Sequence, residues 1–467
     1  MKSVVFASTI VLAALAMLAL AGDRATLDPR LKHASRESPR NGWIPVHLAG
    51  SPAEIGYQHG YLLAPEIQDN YQAIRLEMTH DSKDWNFFRT ASESVLWPHI
   101  EPEYRAEFQG IVDGVKAKGV SLDIWDIVTM NAYMELSPYY LNWYEAQHNP
   151  AAAPKPIPEH CSAFVATGSY TKSGKVVIGH NNWTDYVTAT RWNVIFDVAP
   201  AKGLRFIMDG MPGLIHSADD FGINAAGLVI TETTISQFHG FDPNGIPEFV
   251  RARKAMQYSA GIDDFAAIMR EGNNGGYAND WLIADSKTNE IASLELGLKN
   301  VNLTRSKDGY FAGANFPIDP KLTAEETTFD PKNMSISSNA RRARWDELMK
   351  QYKGSIDPMT GQLFLSDHYD TFSKERAPSE RTLCGHVDKS PRGMKPWQPE
   401  YGTAGVAQAK ITDAALAARM SMFAALGHAC GIGFSAADHL AAHPEFAWEK
   451  PLLRDMESQP WTLFSAK

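Results

Sequence analysis

Cys161 stands directly after EAQHNPAAAPKPIPEH, residues 145–160, a run with prolines at positions 150, 154, 156 and 158. Proline fixes φ and donates no backbone hydrogen bond, so this run suits neither a helix nor a central strand. It reads as an exposed, extended linker, the kind of segment at which chains are cut. Opening the bond between His160 and Cys161 gives Cys161 a free α-amino group beside its own thiol. Such an amine titrates near about pH 8, so it can take the thiol proton, and one residue supplies both nucleophile and base. The thiolate then attacks an acyl carbonyl, and the tetrahedral oxyanion needs fixed donors such as backbone N–H groups and an Asn or His side chain. The residues alone fit a second reading equally well, a cysteine buried at the start of a strand.

Three polar clusters follow downstream. Gly179-His-Asn-Asn-Trp183 closes a short apolar run. If two strands pair antiparallel around Gly174, His180, Asn181 and Asn182 arrive level with Cys161 and can orient the thiol or bind an oxyanion. Ordinary strand-end chemistry also uses Asn and His. Asp219 and Asp220 precede Thr231-Glu-Thr-Thr234, which is unusually polar for a core strand; a solvated turn and an edge strand explain the same pattern. Asn273-Asn-Gly-Gly-Tyr-Ala-Asn-Asp-Trp281 is a loop entering a strand, and it either presents Asn279 as a donor or is only a turn.

The chain has three cysteines. In an oxidising compartment an odd count leaves one thiol over, and a Cys384–Cys430 pair leaves Cys161. His368, His386, His428, His439 and His443 show no ligand spacing with neighbouring Cys or acids, so no metal site is expected. There is no GxSxG elbow and no phosphate-cradling GxxxxGK[ST], and no cofactor is expected.

The elements that must position these residues change period at Cys161. Trp43–Gly50 reads as a strand, and Ser51-Pro-Ala-Glu54 opens a helix with a capping box and Pro at its first position. Residues 54–145 look mainly helical, with Gly119 as a stop. Beyond Cys161 a period of two predicts strands at 162–167, 175–179, 192–198, 204–208, 213–217 and 227–231, and a hairpin from 281–285 and 291–296. Helices are expected at 247–258, after 261–264, at 339–352 and at 412–422. The layout is α+β. It divides into a signal peptide at 1–21, a helical N-terminal segment at 22–144, the linker at 145–160, and a catalytic body at 161–467.

Bulk properties narrow the function. Apolar residues make up 44% and charged residues 21%, and the formal net charge is -10. An acidic chain without a basic stripe does not suit nucleic acid. Lys2, the apolar run 4–20 and the Ala-Leu-Ala site at 19–21 read as a cleaved secretory leader. The expectation is export, to a periplasm or the exterior in a bacterium and to a lysosome in a eukaryote.

With those residues in place, CSAFVATGSYTKSGKVVIGHNNW, MPGLIHSADDFGINAAGLVITETTI and the GGYANDWLIAD loop resemble the phospholipase B-like family of N-terminal nucleophile (Ntn) hydrolases. AEIGYQHG at 53–60 is similar to a segment of the related acyl-coenzyme A:6-aminopenicillanic acid acyltransferase-like peptidases. The resemblance spans about residues 43–315. It implies an αββα sandwich and self-cleavage before Cys161. It matches Cys161 to the nucleophile, His180 and Trp183 to site-lining positions, Thr231 or Thr233 to the strand beside it, and Asn279 to an oxyanion donor. His180-Asn-Asn-Trp183 stands where many acyltransferase-like relatives carry Arg-Asn-x-Asp, which favours the phospholipase B-like branch. The implied partners are a small-molecule or lipid acyl substrate and the chain's own cleaved N-terminal fragment. An amidase, peptidase or acyltransferase on a small amide competes with lipid deacylation. A non-catalytic secreted binding protein on the same scaffold is a third reading. A papain-like peptidase lacks its local signature here.

Overall fold

A computed structural model of the chain describes residues 28–151, 153–157, 161–218 and 221–467. The expected leader, His160, Asp219 and Asp220 lie outside these described residues.

Strands β1 (Ser35–Arg36), β2 (Ile44–Gly50), β3 (Ser162–Thr167), β4 (Val177–Asp185), β5 (Val194–Pro200), β6 (Phe206–Gly210), β7 (Phe221–Asn224) and β8 (Leu228–Thr234) come first. They are followed by β9 (Asn279–Asp285), β10 (Glu290–Leu296), β11 (Val301–Ser306), β12 (Gly309–Gly313), β13 (Tyr369–Asp370), β14 (Glu375–Arg376), β15 (Ala404–Asp413), β16 (Ser421–Leu426) and β17 (Thr462–Ser465). Among the described residues they build a nine-stranded sheet in the order β1-β2-β5-β6-β7-β8-β9-β10-β11 and a six-stranded sheet in the order β12-β3-β4-β15-β16-β17. β13 and β14 form a small separate ribbon.

Side chains alternate along a strand, so each sheet offers two faces. Ala163, Val165, Ile178, Ile207, Val229 and Leu282 form one buried cluster shared by both sheets. Phe164, Val177 and Ile411 instead pack with Trp345, Leu348 and Phe364 of the helices Ser337–Gln351 and Pro358–Leu365. Phe196, Ile230 and Trp281 pack with Ile67, Phe108 and Phe249 of the helices on the other side. The layers therefore run helix, sheet, sheet, helix, as the αββα expectation required.

The N-terminal segment belongs to this body. It supplies β1 and β2, and β2 runs parallel to β5 from Ile44↔Val194 to Gly50↔Pro200. Its first helix, Pro52–Leu62, has the predicted cap: Ser51 and Glu54 close a capping box over Pro52. Glycines then bring that helix against Pro102–Ala117. A Cβ on Gly56 would lie 1.9 Å from the Glu107 carbonyl oxygen, and one on Gly114 would lie 2.4 Å from that of Tyr57. Only glycine permits so close an approach.

Three expectations need correction. Residues 213–217 form a turn rather than a strand. Residues 412–422, rich in helix formers, are the end of β15, one helical turn at Ala414–Ala417 and the start of β16. Only the ends are strand: Thr412 and Asp413 pair with β4, and Ser421 and Met422 pair with β17, while Ala414–Ala417 keep their helical preference for one turn. The described linker residues are exposed as expected, apart from half-buried Glu145 and buried Ile157, but they carry more local structure than the prolines suggest. A helix runs through Glu145 to His148. Lys155 N–H then donates to Asn142 Oδ1 at 2.7 Å, and Ile157 is buried in the helical layer. Apolar Ile157 anchors a segment whose prolines alone read as solvent-exposed. No described helix is long and apolar enough to cross a membrane.

Candidate active site

Cys161 immediately precedes β3 and is buried. Its φ of 84° lies in the left-handed region, where a side chain bearing a Cβ is strained. β3 and β4 pair antiparallel with Ser162 opposite Asn181 and Ala163 opposite His180. The predicted hairpin thus brings the His180 cluster level with Cys161.

The thiol meets Glu232 of β8, from the other sheet: Sγ lies 3.9 Å from Oε1. Sγ of Cys161, a ring nitrogen of His180 and a carboxylate oxygen of Glu232 all fall within 4.8 Å of one another. Tyr277 donates its hydroxyl to the same Glu232 oxygen at 3.2 Å and accepts from Thr234 Oγ1 at 3.3 Å. A carboxylate at this distance can accept a thiol proton or orient an amine formed at Cys161. The trio of thiol, imidazole and carboxylate also consists of zinc-binding ligand types.

Arg341, on the helix Ser337–Gln351, fixes the backbone at the same point. Its Nη1 donates to the Cys161 carbonyl at 2.6 Å and to Ser162 Oγ at 3.0 Å. Its Nη2 donates to Asn315 Oδ1 at 2.9 Å, and Asn315 Nδ2 donates to the Thr234 carbonyl at 2.9 Å. The guanidinium lies 4.4 Å over the Trp183 ring. One fully buried cation therefore ties the start of β3 to the end of β8 and to Trp183.

The other predicted residues divide by strand face. His180 shares the face of Ile178, between the sheets, opposite Lys410 of β15. Lys410 Nζ lies 3.3 Å from Asp209 Oδ2 of the other sheet, and both side chains are fully buried. Asn181 points the other way. Its Nδ2 donates to the carbonyls of Leu365 at 2.8 Å and Leu383 at 2.9 Å, so its amide supports two loops instead of lining the site. Thr231 is buried opposite Phe221 and Leu282. Thr233 lies opposite Asp280, with its hydroxyl against Gly313 of β12. Asn279 opens β9 opposite Thr234, and its fully buried amide has a hydrogen-bond partner on neither atom. A buried amide so placed is available to a charge that develops during reaction. Beside it, burial and the neighbouring Glu295 push the Asp280 carboxyl up to about 8, against the hydrogen bond from Ser293. Glu295 accepts from the backbone N–H of Asp319 at 2.9 Å.

Sequence reasoning missed Arg341 and underused Glu232. Glu232 belonged to the polar TETT run; Arg341 sits on a helix far along the chain that nothing near Cys161 announces. The expected Cys384–Cys430 disulfide is not formed, and all three cysteines are free thiols.

A cleft of mixed polarity lies beside this centre. Thr234 and Tyr277, the latter hydrogen-bonded to Glu232, line it together with Met78, Tyr133, Tyr139 and Ile157 and with the polar Glu77, His80 and Lys155. Tyr139 and Ile157 also border an adjoining hollow walled by Trp143, Phe238 and Phe241.

Comparison with known proteins places this geometry. A phospholipase B from the snake Crotalus adamanteus is 22% identical over 294 residues, 57% of this chain and 51% of its own length. A phospholipase B-like protein C from Dictyostelium discoideum is 28% identical over 290 residues, 52% of this chain and 50% of its own length. The chain thus spans about half the length of these curated relatives. Among solved structures, a conjugated bile acid hydrolase mutant from Clostridium perfringens matches at a TM-score of 0.32 and 11% identity, over 56% of this chain and 88% of that one. The family model described as Phospholipase B matches residues 63–297, half of the 467-residue chain. That stretch holds Cys161, His180, Glu232 and Asn279, and the chain belongs to the phospholipase B family.

Proposed function

We propose that this protein is a hydrolase of lipid acyl esters, activated when its own backbone opens before Cys161, with the Cys161 thiol as nucleophile. The observation that carries the reading is the setting of Cys161: a buried thiol at a strand start, in a left-handed backbone, 3.9 Å from the Glu232 carboxylate and held by Arg341 through its own carbonyl.

In the intact chain, Glu232 takes the Cys161 proton. The thiolate attacks the carbonyl carbon of residue 160, and the C–N bond breaks as its nitrogen gains a proton. That break frees the α-amine of Cys161, and water then cleaves the resulting thioester, freeing a carboxylate on residue 160 and the Cys161 thiol. In turnover that amine takes the thiol proton, and the thiolate attacks the substrate carbonyl while Asn279 steadies the oxyanion. The alcohol leaves with the proton, and water hydrolyses the acyl thioester.

The same nucleophile serves esters and amides. The cleft lined by Met78, Tyr133 and Tyr139, continuing past Trp143, Phe238 and Phe241, supports an acyl chain over a small polar amide. Pairing of β2 with β5 supports an N-terminal fragment that stays bound after cleavage. Export behind a leader at 1–21 is part of the same reading.

Intact mass and N-terminal sequencing of wild type and Cys161→Ala test it. Wild type yields a second N-terminus at Cys161, with both fragments co-eluting on gel filtration; Cys161→Ala stays whole and inactive. Activity of the cleaved form is measured on phosphatidylcholine vesicles and on N-acyl amino acids side by side. Full activity from an uncut chain would end the proposal. Turnover of the amide alone would replace the lipid by an amide substrate.

A further inference from the structure

On the outer face of β4, behind Trp183, four side chains from three separate segments converge. His368 follows the helix Pro358–Leu365, Cys384 and His386 lie in the stretch before β15, and Cys430 follows β16. One ligand atom from each of the four lies within 4.8 Å of every other. Nε2 of His386 is 3.8 Å from Sγ of Cys384 and 3.4 Å from Sγ of Cys430. Nε2 of His368 is buried, and the groups His368 meets within this cluster are the ligand atoms of the other three residues.

We infer that His368, Cys384, His386 and Cys430 bind one zinc ion in a closed, structural site. Tetrahedral zinc with Zn–S near 2.3 Å and Zn–N near 2.0–2.1 Å separates its ligand atoms by about 3.3–3.8 Å. The two measured S···N separations fall in that range. Two sulfurs and two imidazole nitrogens are a donor set for zinc and leave no position for water.

The surroundings match a metal site beyond the four ligands. Ligating imidazoles commonly give their second ring nitrogen to a carboxylate. Nδ1 of His386 lies 3.7 Å from Asp388 Oδ1, and that oxygen accepts the Tyr186 hydroxyl at 2.9 Å. His428 stacks on the His386 ring with centroids 4.0 Å apart and places Nε2 2.9 Å from the same hydroxyl. The backbone also needs such a tie. Residues 377–403 contain one short 3-10 turn, Val387–Lys389, as their regular structure, yet Leu383, Cys384, His386 and Val387 are fully buried. Long irregular stretches inside a compact body are uncommon without a function or a restraint.

The site reaches the reaction centre through packing. A Cβ on Gly385, between the two middle ligands, would lie 1.9 Å from the Trp183 ring, and the Arg341 guanidinium lies 4.4 Å over the same ring. The ion thus acts as a positioning element for the residues around Cys161. The inference does not depend on what Cys161 does.

The test uses the full chain, purified without reductant or chelator and dialysed against buffer containing zinc. Elemental analysis is expected to give about one zinc per chain. Thiol counting is expected to find Cys384 and Cys430 reduced, and shielded until a chelator is added. Cobalt exchange is expected to give the charge-transfer and tetrahedral ligand-field bands of a two-thiolate site. Cys430→Ser and His368→Ala each lower the zinc content about tenfold or more, whereas Cys161→Ala keeps it. Three results would overturn the inference: a folded wild type without stoichiometric zinc, a Cys384–Cys430 disulfide as the main form, or zinc lost in Cys161→Ala and kept in Cys430→Ser. If Cys430→Ser fails to fold, the metal content, thiol count and cobalt spectrum of wild type still decide.

Discussion

Nη1 of Arg341 lies 2.6 Å from the carbonyl oxygen of Cys161. The contact holds the peptide that leads from Cys161 into β3, and it does so from a helix on the outside of the six-stranded sheet. The same guanidinium reaches Asn315, which holds the end of β8. The distance between Cys161 and Glu232 therefore depends on a residue that ties down the backbone of both strands. Arg341→Met removes three fixed donors and leaves the Cys161 carbonyl unsatisfied in a buried site. Displacing a nucleophile by about 1 Å can cost about 100-fold in rate. Cleavage before Cys161, followed by gel electrophoresis of fresh protein over time, is expected to slow by about that factor. Arg341→Lys, with one point charge in place of a planar fork, is expected to recover only part of the rate.

Glu232 is expected to matter more for the first cut than for later turnover. In the uncut chain Cys161 has no amine, and among the described residues the Glu232 carboxylate lies 3.9 Å from the thiol. On the proposed mechanism the amine freed by cleavage then takes over as base. Glu232→Gln keeps the shape and still accepts from Tyr277, but it cannot take a proton. Loss of a general base typically costs about 10²–10⁴-fold. The rate of chain opening should fall in that range, while kcat on substrate, measured on the fraction already cut, falls less. Equal losses in both rates would remove the distinction between the two bases.

Much of this arrangement is legible from residues alone, and the limits are physical. Ser162–Thr167 and the run ending at Trp183 alternate with period two, and the turn at Gly174 sets their register, so the approach of His180 to Cys161 follows from local pattern. The capping box at Ser51 and Glu54 is equally local. Arg341 is not: its partners are 180 residues away, and a charged residue on a helix normally faces water. Residues 412–422 misread because β4 and β17 take the two ends as strand and leave the helix formers between them a single turn. Cys384 and Cys430 looked like a leftover pair because sequence spacing does not show that His368 and His386 join them in one cluster.

Asn279 and Asn181 give opposite outcomes on the same substitution. Asn279 is fully buried with both amide atoms unpartnered, so Asn279→Ala removes no resting hydrogen bond. If it serves the oxyanion, kcat falls about 10²–10³-fold with KM and Tm nearly unchanged. Asn181 spends its amide on the carbonyls of Leu365 and Leu383. Asn181→Ala leaves two buried carbonyls unpaired, at about 1–3 kcal/mol each. Its main effect should be a lower Tm, with kcat of the surviving protein close to wild type. Activity assays and thermal melts on the two variants separate the roles.

Two buried carboxyls should add stability as pH falls from 8 to 5, while buried His59, His216 and His428, each pushed down to about 3 by burial, remove stability below about pH 6.5. Burial pushes Asp280 up to about 8, with Glu295 opposite it adding to the effect, and burial pushes Glu449 up to about 8 despite its hydrogen bond from Thr403. Unfolded carboxyls titrate near about 4, so between pH 4 and 8 the native chain holds protons that the unfolded chain has released. The unfolded state then binds fewer protons, and unfolding becomes easier as pH rises. Each group contributes about 1.4 kcal/mol per pH unit across that window. Below about pH 4 both states are protonated and these two groups add no further slope. Asp280→Asn keeps an oxygen for the Ser293 hydroxyl and has no proton to lose. The Tm difference between Asp280→Asn and wild type should therefore grow from pH 5 to 8, the variant melting above wild type at pH 8 and near it at pH 5. A difference that stays constant with pH would show that Asp280 is ionised in the folded chain.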